Sequence, residues 1–434
     1  SGQENLRQGD GLVTSAEQPA VFVNFDFRLG IFGWIDAKDP EIPKNLGLRD
    51  QQLALRWVSR NIAAFGGDPR RVMLMGQSEG SGIIQAHMVA PGSQGLFQRA
   101  SLHSPPADLW QRNTNRLRTN FMLERLHCKH PKAKGILACL KRHTAEQIWA
   151  ADWVTEDLSR NMGSPRWLGE VRDVLQFTAF RSFSQTPGQL GWHAVIDNET
   201  LPAEPMDLIR QGKWNHVPVL LTTSRNETWG VFANGEVSAS IMVMAIKYFL
   251  KDGESERVHR LYNETLERSG QGLPDALGLA HMLLTDKIWS CDILSFARTL
   301  LAVGGEARVG VFDHSPKWDP SNTNTNKVCH QGAACHAADM LYVLPQDERR
   351  GGIPSSMPQE VAFALRYRDE VLRFASGREP VWARFTDGAE AVTFYSEDGP
   401  RVVKDWKKAE CKLLDSSMGS ALPQFMRDRM RASS

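Results

Sequence analysis

The 434-residue sequence has no uninterrupted apolar run long enough to cross a membrane. A membrane-spanning helix needs about 18 or more such residues, and the longest candidate, Ile241 to Leu250, is shorter and is interrupted by Lys247. The sequence also lacks an excess of either charge, because 51 basic residues stand against 50 acidic ones. We therefore expect no membrane span and no binding to nucleic acid or another polyanion.

Cysteine is scarce but even in number. The six cysteines occupy positions 128, 139, 291, 329, 335 and 411, and an even count is compatible with three disulfides. Cys329-His330 and Cys335-His336 are the best candidates for metal ligands. Zinc sites usually place about two to four residues between paired cysteines, and here five residues intervene. We therefore expect no metal and no cofactor.

The most informative stretch is Gly76-Gln77-Ser78-Glu79-Gly80. The apolar residues 72–75 before it predict a short buried strand, and residues 83–88 after it predict a helix. A serine between two glycines at a strand-to-helix turn is the nucleophile elbow, whose strained backbone projects the hydroxyl away from the sheet. The letter pattern alone is weak in a sequence with 35 glycines, so the interpretation depends on its strand–helix context.

Strands alternate with helices along the chain, which predicts an α/β fold with a mostly parallel sheet. The predicted strands are 20–27, 72–76, 97–103, 217–223 and 307–313, the predicted helices include 48–65 and 358–375, and a late hairpin joins 391–395 to 401–404. Residues 112–190 have a more polar, helical pattern and predict an insertion lying over the sheet. A capping box is predicted at Thr144 and Gln147.

A catalytic serine needs a histidine to take its proton and a carboxylate to hold the tautomer of that histidine. In α/β-hydrolases the three residues follow in the order serine, acid, histidine, each on a loop after a strand. Glu227 follows the strand 217–223, and His336 follows the strand 307–313 and a long loop. Spacing alone does not select them among 50 acidic residues and 12 histidines. A solvated glutamate at a helix start and a surface histidine are the alternatives.

Longer segments add a family resemblance. Before the elbow these are 45–51, 54–58, 61–62 and 65–69; after it they are 91–93, 96–97 and 99–100; further on they are 220–227 and 335–343. Together they resemble the type-B carboxylesterase and cholinesterase family. The resemblance implies an α/β-hydrolase fold, with a mixed sheet between helices, as a single domain over residues 1–434 with a helical cap near 112–190. It also implies that Ser78, Glu227 and His336 form a catalytic triad.

The resemblance assigns supporting roles as well. It implies that the backbone N–H of Glu79 contributes to an oxyanion hole. Ser104 stands where the family has a serine that supports the acid and the histidine, although a hydroxyl that caps the strand end is the alternative. Gln77 lies next to the nucleophile, where the family usually has glutamate. Arg28 resembles an arginine of a structural ion pair.

The cysteine positions also resemble the family pattern, which implies the pairs Cys128–Cys139, Cys291–Cys411 and Cys329–Cys335. Three disulfides imply an oxidising compartment. We therefore expect a secreted or periplasmic protein.

One family element is not found in the sequence. The family has a His-Gly-Gly-Gly-Phe type stretch that supplies most of the oxyanion hole, whereas Ser1-Gly2-Gln3-Glu4-Asn5 resembles the region just after it. We therefore expect the domain to be N-terminally incomplete. Three hypotheses follow. The chain is a serine ester hydrolase that acts on small-molecule esters through an acyl-enzyme, a cholinesterase-like adhesion or binding protein without catalysis, or an inactive fragment of an esterase.

Overall fold

The protein is described here by a computed structural model. It covers residues 9–14, 17–105, 114–129, 135–152, 192–232, 255–268, 276–318, 329, 332–346, 348 and 352–417. The first residues, Ser1 to Asn5, and residues 153–191 of the expected cap lie outside these ranges.

A six-stranded sheet forms the centre of the fold, with its strands side by side in chain order. The strands are β1 (Met73–Gln77), β2 (Arg99–His103), β3 (Val219–Ser224), β4 (Ala307–Phe312), β5 (Ala391–Ser396) and β6 (Gly399–Lys404). Strands β1 to β5 run parallel, and β6 pairs antiparallel with β5. The predicted mostly parallel sheet and the late hairpin are therefore present.

Helices alternate with these strands. They are α1 (Asp10–Val13), α2 (Gly30–Trp34), α3 (Leu46–Asn61), α4 (Glu79–Val89), α5 (Thr114–Arg125), α6 (Ile136–Leu140), α7 (Ala145–Ala151), α8 (Pro205–Arg210), α9 (Glu227–Phe232), α10 (Ser255–Arg268), α11 (Ala276–Thr285), α12 (Cys291–Ala302), α13 (Met340–Val343), α14 (Pro358–Ser376) and α15 (Lys408–Ser417). Within the described ranges, no helix combines the length and apolarity needed to cross a membrane.

The sheet is buried on both faces. Side chains alternate across a strand, and in β3 Val219 and Leu221 belong to one hydrophobic cluster while Leu220 belongs to another. This double burial explains why β3 begins with three apolar residues, Val219 to Leu221, and why β4 is mostly apolar in sequence. It also leaves the carboxyl ends of the parallel strands, followed by Ser78, Ser104 and Glu227, as the place where polar side chains can meet.

The segment 20–27 differs from the prediction of a strand. Its backbone is extended but pairs with no strand in the described part of the chain. Residues 20–25 and the edge strand β1 line the same cavity of about 780 Å³. A β-ladder requires neighbouring strands about 4.8 Å apart. The segment 20–27 has a cavity beside it, so its sequence has the pattern of a strand but its backbone has no neighbouring strand among the described residues to pair with.

The capping box, the Arg28 ion pair and the three cysteine pairs of the sequence analysis are present in the fold. Thr144 and Gln147 form the predicted capping box at the start of α7. Arg28 binds the Asp50 carboxylate through two nitrogens, at 2.7 and 2.6 Å. The cysteines are joined as Cys128–Cys139, Cys291–Cys411 and Cys329–Cys335, the pairs that the resemblance implied.

Candidate active site

Ser78 occupies a strained turn between β1 and α4. Its φ of +56° and ψ of −122° lie outside the regions that non-glycine residues prefer. Its N–H donates to the His103 carbonyl oxygen at 2.8 Å, which ties the turn to β2. A Cβ at Gly76 would lie 2.6 Å from the backbone of Gly80, whereas a Cβ at Gly80 would have no neighbour within 4 Å. The close approach therefore requires glycine at position 76, whereas position 80 has room for a side chain.

Glu227 is fully buried at the first position of α9. One carboxylate oxygen, Oε1, accepts hydrogen bonds from Ser104 Oγ at 2.6 Å, Thr223 Oγ1 at 2.7 Å and the Ser224 N–H at 2.6 Å. Buried carboxylates need such donors to offset the loss of water, and three of them fix the orientation of the group. The second oxygen, Oε2, faces His336.

His336 receives the free oxygen of Glu227. Its Nδ1 lies 2.5 Å from Glu227 Oε2, and the Trp289 ring packs at a centroid distance of 5.4 Å. The side chain of His336 is 16% exposed while that of Glu227 is fully buried. An imidazole that donates from Nδ1 to a carboxylate presents Nε2 as a base.

His336 Nε2 lies beside Gln77. The two nitrogens, Gln77 Nε2 and His336 Nε2, are 2.9 Å apart. Among the described contacts, no hydrogen bond joins Ser78 Oγ to His336. The structure thus brings the acid and the histidine into contact and places the serine at the neighbouring elbow, with the amide of Gln77 at the nitrogen that the serine would use.

The backbone and the side chain of Glu79 point to different partners. Its N–H begins helix α4 and takes part in no hydrogen bond described here, so it is available to an oxyanion beside Ser78. Its carboxylate accepts from His193 Nδ1 at 2.8 Å. Burial lowers the pKa of His193 and the Glu79 carboxylate raises it, with a net shift above the ordinary value.

A second serine–histidine–acid series lies behind the site and is closed to solvent. His103 Nδ1 is 2.6 Å from Asp339 Oδ2, and His103 Nε2 is 2.9 Å from Ser101 Oγ. All three side chains are fully buried, so no substrate can reach them. Asp339 follows His336 by three residues, and the pair therefore ties the histidine loop to β2.

One cluster in the described ranges resembles a metal site by proximity, formed by Cys128, Cys139 and His143. Both sulfurs are joined in a disulfide. A metal binds the thiolate form of cysteine, so this cluster lacks the two ligands it would need.

The sequence profile described as the carboxylesterase family matches residues 2–412. This chain belongs to the carboxylesterase family. The match includes the elbow and the loops that carry Glu227 and His336.

Individual relatives match shorter parts of the chain. Acetylcholinesterase 4 of Caenorhabditis briggsae is 38% identical over 157 residues, which cover 35% of this chain and 26% of the relative. The juvenile hormone esterase of Tribolium castaneum is 46% identical over 216 residues, 45% of this chain and 36% of the relative. Liver carboxylesterase 1 of Oryctolagus cuniculus is 30% identical over 221 residues, 50% of this chain and 36% of the relative. These alignments span about a quarter to a third of the relatives' own length.

Solved esterase structures share the fold. A structure titled PNB esterase superimposes with a TM-score of 0.68 at 22% identity, covering 95% of this chain and 78% of its own. A carboxylesterase of Geobacillus stearothermophilus gives 0.70 at 21% identity, covering 95% and 79%. At such identity these similarities establish the α/β-hydrolase fold and leave the chemistry to the site.

Besides the contact of Gln77 with His336, two further contacts at the site went beyond the sequence interpretation. Thr223 binds the same carboxylate oxygen as Ser104, and its hydroxyl four residues before Glu227 was the available signal. The hydrogen bond between Glu79 and His193 joins residues 114 positions apart, and no local pattern indicates it.

Proposed function

We propose that this chain is a carboxylic ester hydrolase in which Ser78 is the nucleophile, His336 the general base and acid, and Glu227 the residue that orients His336. The proposal is carried by the contact between Glu227 and His336 beside a serine in a strained elbow, on three loops at one edge of the sheet. The family membership and the esterase relatives support the same reaction class.

In the proposed reaction, Ser78 Oγ attacks the carbonyl carbon of the ester and its proton passes to His336 Nε2. The tetrahedral intermediate expels the alcohol, which takes that proton, and leaves an acyl group on Ser78. A water molecule then attacks the acyl-enzyme with His336 as the base again, which releases the acid and restores the serine. The Glu79 N–H is the backbone donor that we assign to the oxyanion.

The substrate that we propose is a small-molecule carboxylic ester, handled without a cofactor. Relatives named for acetylcholine or juvenile hormone hydrolysis share only part of the chain, so no alcohol or acyl group is assigned from them. A quaternary ammonium is usually recognised by aromatic faces or nearby anions. Because Gln77 is neutral where the family usually has glutamate, no anion at this position favours a cationic ester.

The same proposal includes the setting of the enzyme. Three disulfides are stable in oxidising compartments, which supports a secreted or periplasmic location. We also retain the proposals of a single domain over 1–434 and of a cap near 112–190, to which helices α5, α6 and α7 would belong.

Hydrolysis of p-nitrophenyl acetate by the purified chain tests the proposal. We expect turnover that Ser78→Ala abolishes, with Ser59→Ala, an exposed serine in α3, as the matched control that keeps it. Equal turnover by Ser78→Ala and the unmodified chain would remove Ser78 from the mechanism. A folded chain that neither turns over esters nor reacts at Ser78 would favour the rival function, a cholinesterase-like binding protein.

A further inference from the structure

His336 has one acceptor nitrogen, and two donors compete for it. Its Nδ1 faces Glu227 Oε2 at 2.5 Å, so the proton of the neutral ring is on Nδ1 and Nε2 carries the single acceptor lone pair. The proposed reaction needs the Ser78 hydroxyl at that lone pair. The structure has the Gln77 amide there instead, at 2.9 Å.

We propose that Gln77 is a positioning residue that occupies His336 Nε2 in the free enzyme, so that Ser78 gains its base only when the amide turns away. The inference rests on the proposed function and adds a resting state to it. In this state the hydroxyl of Ser78, a half-buried residue at the elbow, has no partner among the described contacts that can accept its proton, which lowers its nucleophilicity.

The surrounding contacts restrict the change to the Gln77 side chain. Gln77 is the last residue of β1, and its backbone is in register with His103 of β2. The N–H of the next residue, Ser78, donates to the His103 carbonyl oxygen. The ring of His336 is held by Glu227 and packed by Trp289. Release of Nε2 therefore needs rotation of one partly exposed amide and no movement of the histidine.

The chemistry of an amide makes this contact specific for the neutral base. With a neutral ring, the amide N–H₂ of Gln77 donates to Nε2. After His336 takes the proton of Ser78, Nε2–H is a donor and repels the N–H₂ group, so the amide cannot return to this nitrogen until the ring is neutral again. The charged group that contacts the ring is Glu227, which faces the other nitrogen and does not replace Gln77 in this role.

Two substitutions at one position separate the parts of the inference. Gln77→Met keeps the length of the side chain and removes the donor, so Nε2 is free for Ser78. A net hydrogen bond of ordinary strength corresponds to a factor of about three to ten, and we expect the plateau of kcat/KM and the rate of phosphonylation by a fluorophosphonate to rise by that factor. Gln77→Glu also lacks the donor, but its carboxylate favours the protonated ring. In the pH profile of kcat/KM, we expect the acid limb of Gln77→Glu to lie at higher pH than the acid limb of Gln77→Met.

Two quantities are measured: the pH profile of kcat/KM for p-nitrophenyl acetate and the rate of phosphonylation by a fluorophosphonate. They are measured for the unmodified chain, for both Gln77 variants and for Gln94→Met. Gln94 is an exposed glutamine, so its substitution should change neither quantity. Thermal melting of each variant checks that it is folded. A Gln77→Met variant that melts normally and reacts no faster than the unmodified chain would overturn the inference. So would pH profiles of kcat/KM in which the acid limbs of Gln77→Met and Gln77→Glu coincide. If the unmodified chain reacts at Ser78 while Gln77→Met is no faster, the inference fails and the proposed function stands. If no variant reacts, both fail.

Discussion

Replacement of Glu227 by glutamine removes one charge and leaves the shape of the site nearly unchanged. Oε1 accepts three hydrogen bonds, from two hydroxyls and the Ser224 N–H. The hydroxyls can rotate, but the backbone N–H cannot, so the amide oxygen must occupy the Oε1 position. The amide nitrogen then faces His336 Nδ1, where it donates and moves the proton of the ring to Nε2. In that tautomer Nε2 is no longer a base for Ser78.

An incorrect tautomer of this kind lowers kcat by about four orders of magnitude in a serine hydrolase with intact geometry, and we expect a loss of that size in kcat for Glu227→Gln. The assay is hydrolysis of p-nitrophenyl acetate, with thermal melting to show that the variant is folded. Glu256→Gln is the matched control, because Glu256 lies exposed in the first turn of α10. A loss of less than about tenfold in folded Glu227→Gln would refute the orienting role.

Three further predictions concern the surroundings of the site. Ser104→Ala deletes a hydrogen bond to a buried carboxylate and should lower the free energy of unfolding by about 1.5–3 kcal/mol in a urea titration, with kcat/KM reduced as well; an unchanged midpoint would contradict the role of Ser104. Removing the Cys291–Cys411 disulfide, with a separation of 120 residues, should cost about 4–5 kcal/mol of stability, against about 3 kcal/mol for Cys128–Cys139, with a separation of 11. Equal losses in guanidinium titrations would contradict the loop-length explanation. Burial lowers the pKa of His193, but Glu79 raises it above its ordinary value in the folded state. The His193–Glu79 pair therefore stabilises the fold fully below about pH 6 and less as the pH rises through the folded-state pKa. His193→Gln should lower Tm more at about pH 5.5 than at about pH 9, and a loss of Tm that grows with pH would contradict this prediction.

The sequence determined the sheet well wherever burial is double-sided. The first half of β3 and most of β4 are apolar because both faces of the sheet are buried, so their composition indicates them. The segment 20–27 has the same composition, but a strand also needs a neighbour at ladder distance, and that condition belongs to the tertiary structure. Its extended, unpaired backbone therefore could not be predicted from its residues.

The residues of the site could be predicted from the sequence to different degrees. Ser78 could be predicted from its local turn, because a strand, two glycines and a helix are adjacent in the chain. Glu227 and His336 followed from the family resemblance and not from spacing, since they lie 109 residues apart. The contact between Gln77 and His336 depends on the side-chain torsions of two loops, and no pattern of residue types contains that information.

The most decisive measurement is covalent labelling of the folded chain with a fluorophosphonate, followed by peptide mass spectrometry. We predict one label per chain on Ser78, lost in Ser78→Ala and slowed strongly in His336→Ala. Absence of label from the folded chain, or a label on another residue that persists in Ser78→Ala, would contradict the proposal that Ser78 is the nucleophile of an ester hydrolase.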